Sequence, residues 1–201
     1  MANTYQETEI KLYVPDLAAV EQRLRSLGAV LKAPRIYERN NRYDDAEKTL
    51  MHGHQVLRLR WDSRARLTYK EENGGAVEGS RARSRFEAEV EVSDFDTMHT
   101  ILLRLGFQPF MVYEKYRTTY TFNEAEVTLD EMPYGNFVEI EGSAAAIEAA
   151  VTALELTQAP AFAEGYALLF EHVRRHLRLT FTDLTFENFA GITVPLSAFS
   201  P

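Results

Sequence analysis

The stretch "QETEIKLYVPD" at positions 6–16 puts Glu7, Glu9 and Lys11 on one parity and Thr8, Ile10 and Leu12 on the other. In a β-strand, successive side chains point to opposite faces, and alternate residues stand about 7 Å apart. One face of this strand is therefore charged. The same division recurs along the chain. Arg58 and Arg60 oppose Leu57, Leu59 and Trp61, and Lys70 falls with Thr68. Arg85, Glu87, Glu89 and Glu91 oppose Phe86, Ala88, Val90 and Val92. Lys115 aligns with Arg117, Asp130 joins Thr128 against Val127 and Leu129, and Glu139 and Glu141 oppose Val138 and Ile140.

Alternation of this kind predicts strands at 7–14, 35–44, 55–61, 65–71, 84–92, 112–122, 125–131 and 136–141. Helices are expected at 15–27, 93–105, 143–154 and 160–178, from their openings at Pro-Asp, Ser-Asp, Ser and Pro and from Gly28 and Gly106 beyond the first two. The chain also repeats itself. "ETEIKLYVPDLAAVEQRLRSLGA" from Glu7 resembles "EAEVEVSDFDTMHTILLRLGF" from Glu87, and each half reads strand, helix, then about three strands. The expected class is α+β: an eight-stranded antiparallel β-barrel with the helices packed outside on the apolar faces. A barrel of that design turns its charged faces inward. An open sheet with one solvated, ion-paired face is the competing arrangement. It predicts Thr, Ser, Gln and Asn scattered among the charges, whereas these strands hold little but charge at the key positions.

A lining of ions is a poor way to stabilise a fold, because each desolvated ion costs several kcal/mol. Clustered Arg and Lys match the oxygens of a polyanion. Clustered carboxylates would repel that anion unless a divalent cation lay between. With no cysteine and five histidines, such a donor set selects hard cations, Mg²⁺ or Mn²⁺. The lining thus suggests a metal–polyphosphate site. Thirty acids against 22 bases, a net charge of −8, argue against general nucleic-acid binding. No apolar run reaches the length of a membrane span, and "MANTYQETE" lacks the pattern of a secretory signal. A cytoplasmic location is the expectation.

These blocks together resemble the CYTH family, the triphosphate tunnel metalloenzymes. "ETEIK" is that family's Glu-x-Glu-x-Lys signature. "LRLR", "LTYK", "SRFEAEVEV", "EKYRTTY", "VTLDEMPYGNFVEIEG" and "GYALLF" follow in order, so that the resemblance runs from 7 to about 170. It implies a CYTH domain over 1–178 and a barrel enclosing a charged tunnel. It implies metal held by Glu7, Glu9, Glu89, Asp130, Glu139 and Glu141. It implies phosphates held by Lys11, Arg58, Arg60, Lys70, Lys115 and Arg117. Glu87, Glu91 and Arg85 are further candidates, for metal or for pairing with the opposite charge. The implied activity is metal-dependent hydrolysis of a triphosphate, whether inorganic tripolyphosphate, thiamine triphosphate or a nucleotide. The alternatives are a class IV adenylyl cyclase and a non-catalytic polyphosphate- or nucleotide-binding barrel. Two features depart from family patterns: Gly165-Tyr166 stands where Ser-Tyr is common, and no lysine follows Lys115.

Other candidates read as structural. His52 and His54 flank a glycine. His172 and His176 share a helix face, but Val173 stands where a zinc-protease pattern needs Glu. Tyr37 and Tyr43 are candidates for substrate contact or packing, and Asn40–Asn41 for a position at the tunnel mouth. Residues 179–201, rich in Phe and Leu, need a cover, supplied by the barrel itself or by a second subunit in a homodimer.

Overall fold

The computed structural model describes residues 6–71, 75–78 and 80–200. The Gly-rich connection expected at 72–84 lies partly outside them. The elements run β1 (Gln6–Tyr13), α1 (Leu17–Ser26), β2 (Val30–Asp44), α2 (Thr49–His52), β3 (Gln55–Trp61), β4 (Ala65–Glu71), β5 (Gly75–Ala76) and β6 (Arg83–Val92). There follow α3 (Phe95–Arg104), β7 (Gln108–Phe122), β8 (Ala125–Met132), β9 (Gly135–Glu141), α4 (Ala144–Ala153), β10 (Ala161–Phe162), α5 (Tyr166–Leu177) and a 3₁₀ turn at Leu196–Phe199.

Eight strands close a ring in the order β1-β9-β8-β7-β2-β3-β4-β6 and back to β1, with every pairing antiparallel. The ring is not spaced evenly round an axis. Its closing seam is short, from Gln6 opposite Phe86 to Glu9 opposite Arg83. Exchanging β1–β4 for β6–β9 leaves the ring order unchanged, which is the twofold relation that the internal repeat predicts. The two matching helices are even built alike. The carboxylate of Asp16 accepts from the backbone N–H of Ala18 and Ala19, and that of Asp94 from Thr97. Both helices end on a left-handed glycine, Gly28 at φ 79° and Gly106 at φ 95°.

Most apolar side chains lie outside the ring under the helices, but the cluster beneath α5 includes Tyr113 and Tyr166, which line the interior. α1 and α4 cover one cluster that includes Ile10, Leu12, Val127 and Ile140. α5 and the tail cover a second around Phe137, Leu169 and Phe170, and α3 covers a third around Leu59 and Leu102. The tail joins the barrel through its backbone: Leu184 N–H donates to Val112 C=O at 2.9 Å, and Glu114 N–H donates to Leu184 C=O at 2.9 Å. Phe199, fully buried, packs its ring against Phe137 and Tyr13. No helix among the described residues is long and apolar enough to cross a membrane.

The structure moves several expected boundaries, β7 beginning at Gln108 and not at 112, and two of the changes have a clear local cause. The last helix begins at Tyr166, not at Pro160. β6 covers only the first half of one β1 edge, so the backbone of Lys11–Tyr13 is left needing partners. Ala161–Phe162 pairs with Lys11–Leu12, and Pro160 C=O accepts from Tyr13 N–H at 2.9 Å. β2 begins at Val30, not at 35. It runs through irregularities between Leu31 and Ala33 and between Ala33 and Ile36, where a strand tolerates Pro34.

Candidate functional site

The inward faces of the strands enclose a cavity of about 440 Å³ lined mainly by charged side chains. Of the residues singled out from sequence, Glu7, Glu9, Lys11, Arg58, Arg60, Lys70, Arg85, Glu87, Glu89, Lys115, Arg117, Glu139 and Glu141 all line it. Two do not. Glu91 continues the parity of β6 past the rim, where it pairs with Arg64 at 2.8 Å and both are exposed. Asp130 lies behind the lining with no exposed surface.

Strand parity also carries residues that the sequence reading passed over. Glu38 and Arg42 line the cavity from β2, and Arg66 does so from β4. Asn40, between Glu38 and Arg42, is fully buried inside the barrel and not at its mouth, and neither end of its amide has a hydrogen-bond partner. Applying the i, i+2 test to β2 would have found all three β2 residues. Tyr37 and Tyr43 face outward, where Tyr37 Oη donates to Glu114 at 2.7 Å and Tyr43 Oη is hydrogen-bonded to His99 Nδ1 at 2.7 Å. His172 Nδ1 donates to the Phe199 carbonyl at 2.9 Å, a packing role. His52 and His54 sit exposed around α2.

The lining divides into two sectors. In the cationic sector, bases are paired with acids along the tunnel wall, several of them on neighbouring strands. Lys11 meets Glu139 at 3.3 Å. Arg60 meets Glu89 at 3.1 Å and Glu38 at 3.6 Å. Arg58 donates to Tyr113 Oη at 3.1 Å and Thr68 Oγ1 at 3.0 Å, and it approaches Glu89 at 3.4 Å. Lys115 stands 3.5 Å from Glu38. Burial alone would push Glu38 up, but Lys115, Arg117 and Arg60 outweigh it and hold its carboxyl down at about 2. Burial likewise opposes the ionised form of Glu139, and Lys11, Arg117 and Lys115 hold it well below the usual carboxylate range.

The other sector is short of cations. Glu9 is hydrogen-bonded to Arg85, and Lys70 donates to Glu87 at 2.5 Å. Glu7 and Glu141 face other carboxyls. Burial, Glu87 and Glu141 push Glu7 up to about 8. Burial, Glu126, Glu9 and Glu87 push Glu141 up to about 7. Burial and facing carboxyls together make Glu7 and Glu141 resist ionising, and with Glu9 beside them they form a donor set whose chemistry fits a hard divalent cation. Among the described residues no three His, Asp or Glu side chains already stand together as a cage.

Asp130 is engaged by bases and a hydroxyl. Arg117 Nε donates to its Oδ1 at 2.6 Å. Its Oδ2 accepts from Arg117 at 2.5 Å, Lys115 at 3.1 Å and the Tyr166 hydroxyl at 2.7 Å. Three of those four bonds converge on Oδ2 and one falls on Oδ1. In this arrangement Asp130, which the resemblance implies as a metal ligand, anchors the cationic side chains of Arg117 and Lys115.

A closed antiparallel ring with an ionic interior defines the class of charged-tunnel barrels. The CYTH domain matches residues 5–161, and the chain belongs to that family. A protein of Methanocaldococcus jannaschii named "Putative adenylate cyclase" is 27% identical over 139 residues, covering 68% of this chain and 77% of that one. A solved structure from Pyrococcus horikoshii is similar at 27% identity and TM-score 0.63, covering 82% of this chain and 98% of that one. A Hippeastrum protein, described as a "putative adenylyl cyclase" with a dominant triphosphatase activity, shares the fold at 20% identity and TM-score 0.59, covering 87% of this chain and 97% of that one.

Proposed function

We propose that the protein is a metal-dependent phosphohydrolase that takes a triphosphate into this tunnel. The observation that carries the reading is the division of the lining into sectors. Arg58 and Arg60 from β3, Lys115 and Arg117 from β7 and Lys11 from β1 present cations around one cavity, which suits several phosphates in a row rather than one. Their acid partners Glu89, Glu38 and Glu139 hold them charged and in place, and exchange with phosphate oxygens when the ligand enters. Glu7, Glu9 and Glu141 would hold the cation, Mg²⁺ or Mn²⁺. Bound there, a divalent cation supplies Lewis acidity toward phosphate oxygens and a more acidic water. The protein's own contribution is position and field: fixed guanidinium and ammonium groups stabilise charge that spreads over the transferring phosphoryl oxygens.

The ligand proposed is a small molecule carrying a triphosphate, not a nucleic acid polymer. A second reading, cyclisation of ATP with loss of pyrophosphate, is favoured by the name of the Methanocaldococcus relative. One experiment separates the readings. Purified protein is given tripolyphosphate, thiamine triphosphate and ATP with Mg²⁺ or Mn²⁺ and, in parallel, with chelator. Metal-dependent release of inorganic phosphate supports the hydrolase. Pyrophosphate with cyclic AMP from ATP supports the cyclase. Binding of all three without turnover would leave a non-catalytic barrel.

A further inference from the structure

The family match ends at residue 161, yet Gly165, Tyr166 and Ala167 line the cavity. This corner holds two of the tunnel's cations. The Tyr166 ring lies beneath the Lys11 ammonium, 4.4 Å from its centroid, and beside the Lys115 ammonium at 5.4 Å, both within the range of cation–π attraction. Lys11 Nζ also donates to the Glu164 carbonyl at 3.0 Å. The Tyr166 hydroxyl is turned away from the ligand space. It donates at 2.7 Å to Asp130 Oδ2, the oxygen that also takes Lys115 and Arg117. From behind, Tyr134 Oη donates to the Tyr166 carbonyl at 2.9 Å, and the Phe137 ring meets the Tyr166 ring edge-on at 5.3 Å.

A lysine ammonium rides on a four-carbon stem, and holding it for a ligand costs side-chain entropy unless something already holds it. Here one aromatic face serves two lysines, and its hydroxyl braces the carboxylate between Lys115 and Arg117. We propose that Tyr166 is a positioning residue, which fixes Lys11 and Lys115 as the ammonium pair of the triphosphate subsite before the ligand arrives. This rests on the phosphate reading of the tunnel given above. Tyr166 takes no part in the chemistry, since the only polar atom of its side chain is committed to Asp130.

The test is tripolyphosphate calorimetry in chelator on wild type, Tyr166→Phe and Tyr166→Leu, with KM and kcat measured separately under saturating Mg²⁺ and thermal melts as a folding control. Tyr166→Leu removes ring and hydroxyl, and should weaken binding about tenfold and raise KM similarly with kcat little changed. Tyr166→Phe keeps the ring, and should recover most of that loss, remaining two- to threefold weaker than wild type. If Tyr166→Leu does not fold, Tyr166→Phe carries the test by the same two- to threefold drop. Variants that bind as tightly as wild type, or a fall in kcat with KM unchanged, overturn the proposal. Wild-type protein that neither binds nor hydrolyses tripolyphosphate overturns the phosphate reading itself, and this inference with it.

Discussion

Glu38 on β2 and Lys115 on β7 face each other across one rung of the ladder, 3.5 Å apart and both almost wholly withdrawn from water. Glu38 also meets Arg60 at 3.6 Å. Glu38→Gln keeps the shape and removes the negative charge that these buried cations share. Lys115 keeps Asp130 and Arg60 keeps Glu89, so the cost is that of one lost buried partner, about 1–3 kcal/mol, and not that of a stranded charge. Urea unfolding of the metal-free protein should show that loss. A change below about 1 kcal/mol would mean that water already screens the pair.

Glu141→Gln should behave in the opposite way. Burial, together with the facing Glu126, Glu9 and Glu87, pushes Glu141 up to about 7. Neutralising it relieves repulsion, so stability at pH 8 should hold or rise while activity at limiting Mg²⁺ falls. Thermal melts beside a metal titration of turnover check both. Unchanged Mg²⁺ dependence would remove Glu141 from the cation's donor set.

The pH dependence follows from the same groups. Glu7 and Glu141 have carboxyls raised from 4.5 to about 8 and about 7. Each keeps in the folded state a proton that the unfolded chain gives up near pH 4.5. Their contribution to stability is therefore complete below that pH and declines as pH rises through about 7 and then 8. Protons and a divalent cation compete for these oxygens, so apparent Mg²⁺ affinity should rise between pH 6 and 9, by up to about tenfold per unit for each proton displaced. Calorimetric titration across that range measures it, and a flat affinity would refute the competition.

Arg58→Ala and Arg60→Ala should weaken tripolyphosphate binding by about 1.5–3 kcal/mol each, the scale of a charge-assisted contact. Alternate positions on β3 place the two guanidinium groups toward neighbouring phosphates, so orthophosphate should lose less. A calorimetric series over phosphate, pyrophosphate and tripolyphosphate decides. Equal losses for all three ligands would mean that the arginines supply only a general field.

Phe199→Ala tests the tail. Its ring is buried against Phe137, Tyr13, Tyr134 and Phe162, and truncation of a buried aromatic costs about 3–5 kcal/mol. Chemical denaturation should show a loss of that size in the cooperative transition. A loss below about 1 kcal/mol would detach the tail from the core's energetics.

Strand parity made most of the lining legible, because a period of two sorts charge from apolar bulk without knowledge of partners. It placed Lys11, Arg58, Arg60, Lys115 and Glu139 in the tunnel. Parity does not report depth or the end of a ring, so it carried Glu91 past the rim and could not separate the enclosed Asp130 from its exposed neighbours in type. Tyr166 was beyond its reach for another reason. It is the first residue of a helix, and its place in the tunnel depends on long-range packing of α5 and the tail against β9, which no local period encodes. The strand at Ala161–Phe162 was hidden likewise, since it exists only to satisfy the half-open edge of β1.

The ring order survives the exchange of β1–β4 with β6–β9, but the side chains do not. Where β4 brings Arg66 and Lys70 into the cavity, its counterpart β9 brings Glu139 and Glu141, and the Arg58 and Arg60 of β3 answer to Thr128 and Asp130 of β8. Two copies of either half, closed into this same ring, would make a passage with identical opposite walls, in which a guest could lie head-first or tail-first with equal energy. The intact chain has a symmetric skeleton and an unequal charge: β1 and β6 both bring glutamates, but β3 and β4 differ in sign from β8 and β9. That mismatch gives the passage a polarity, so that a ligand with two different ends has one preferred way to lie in it.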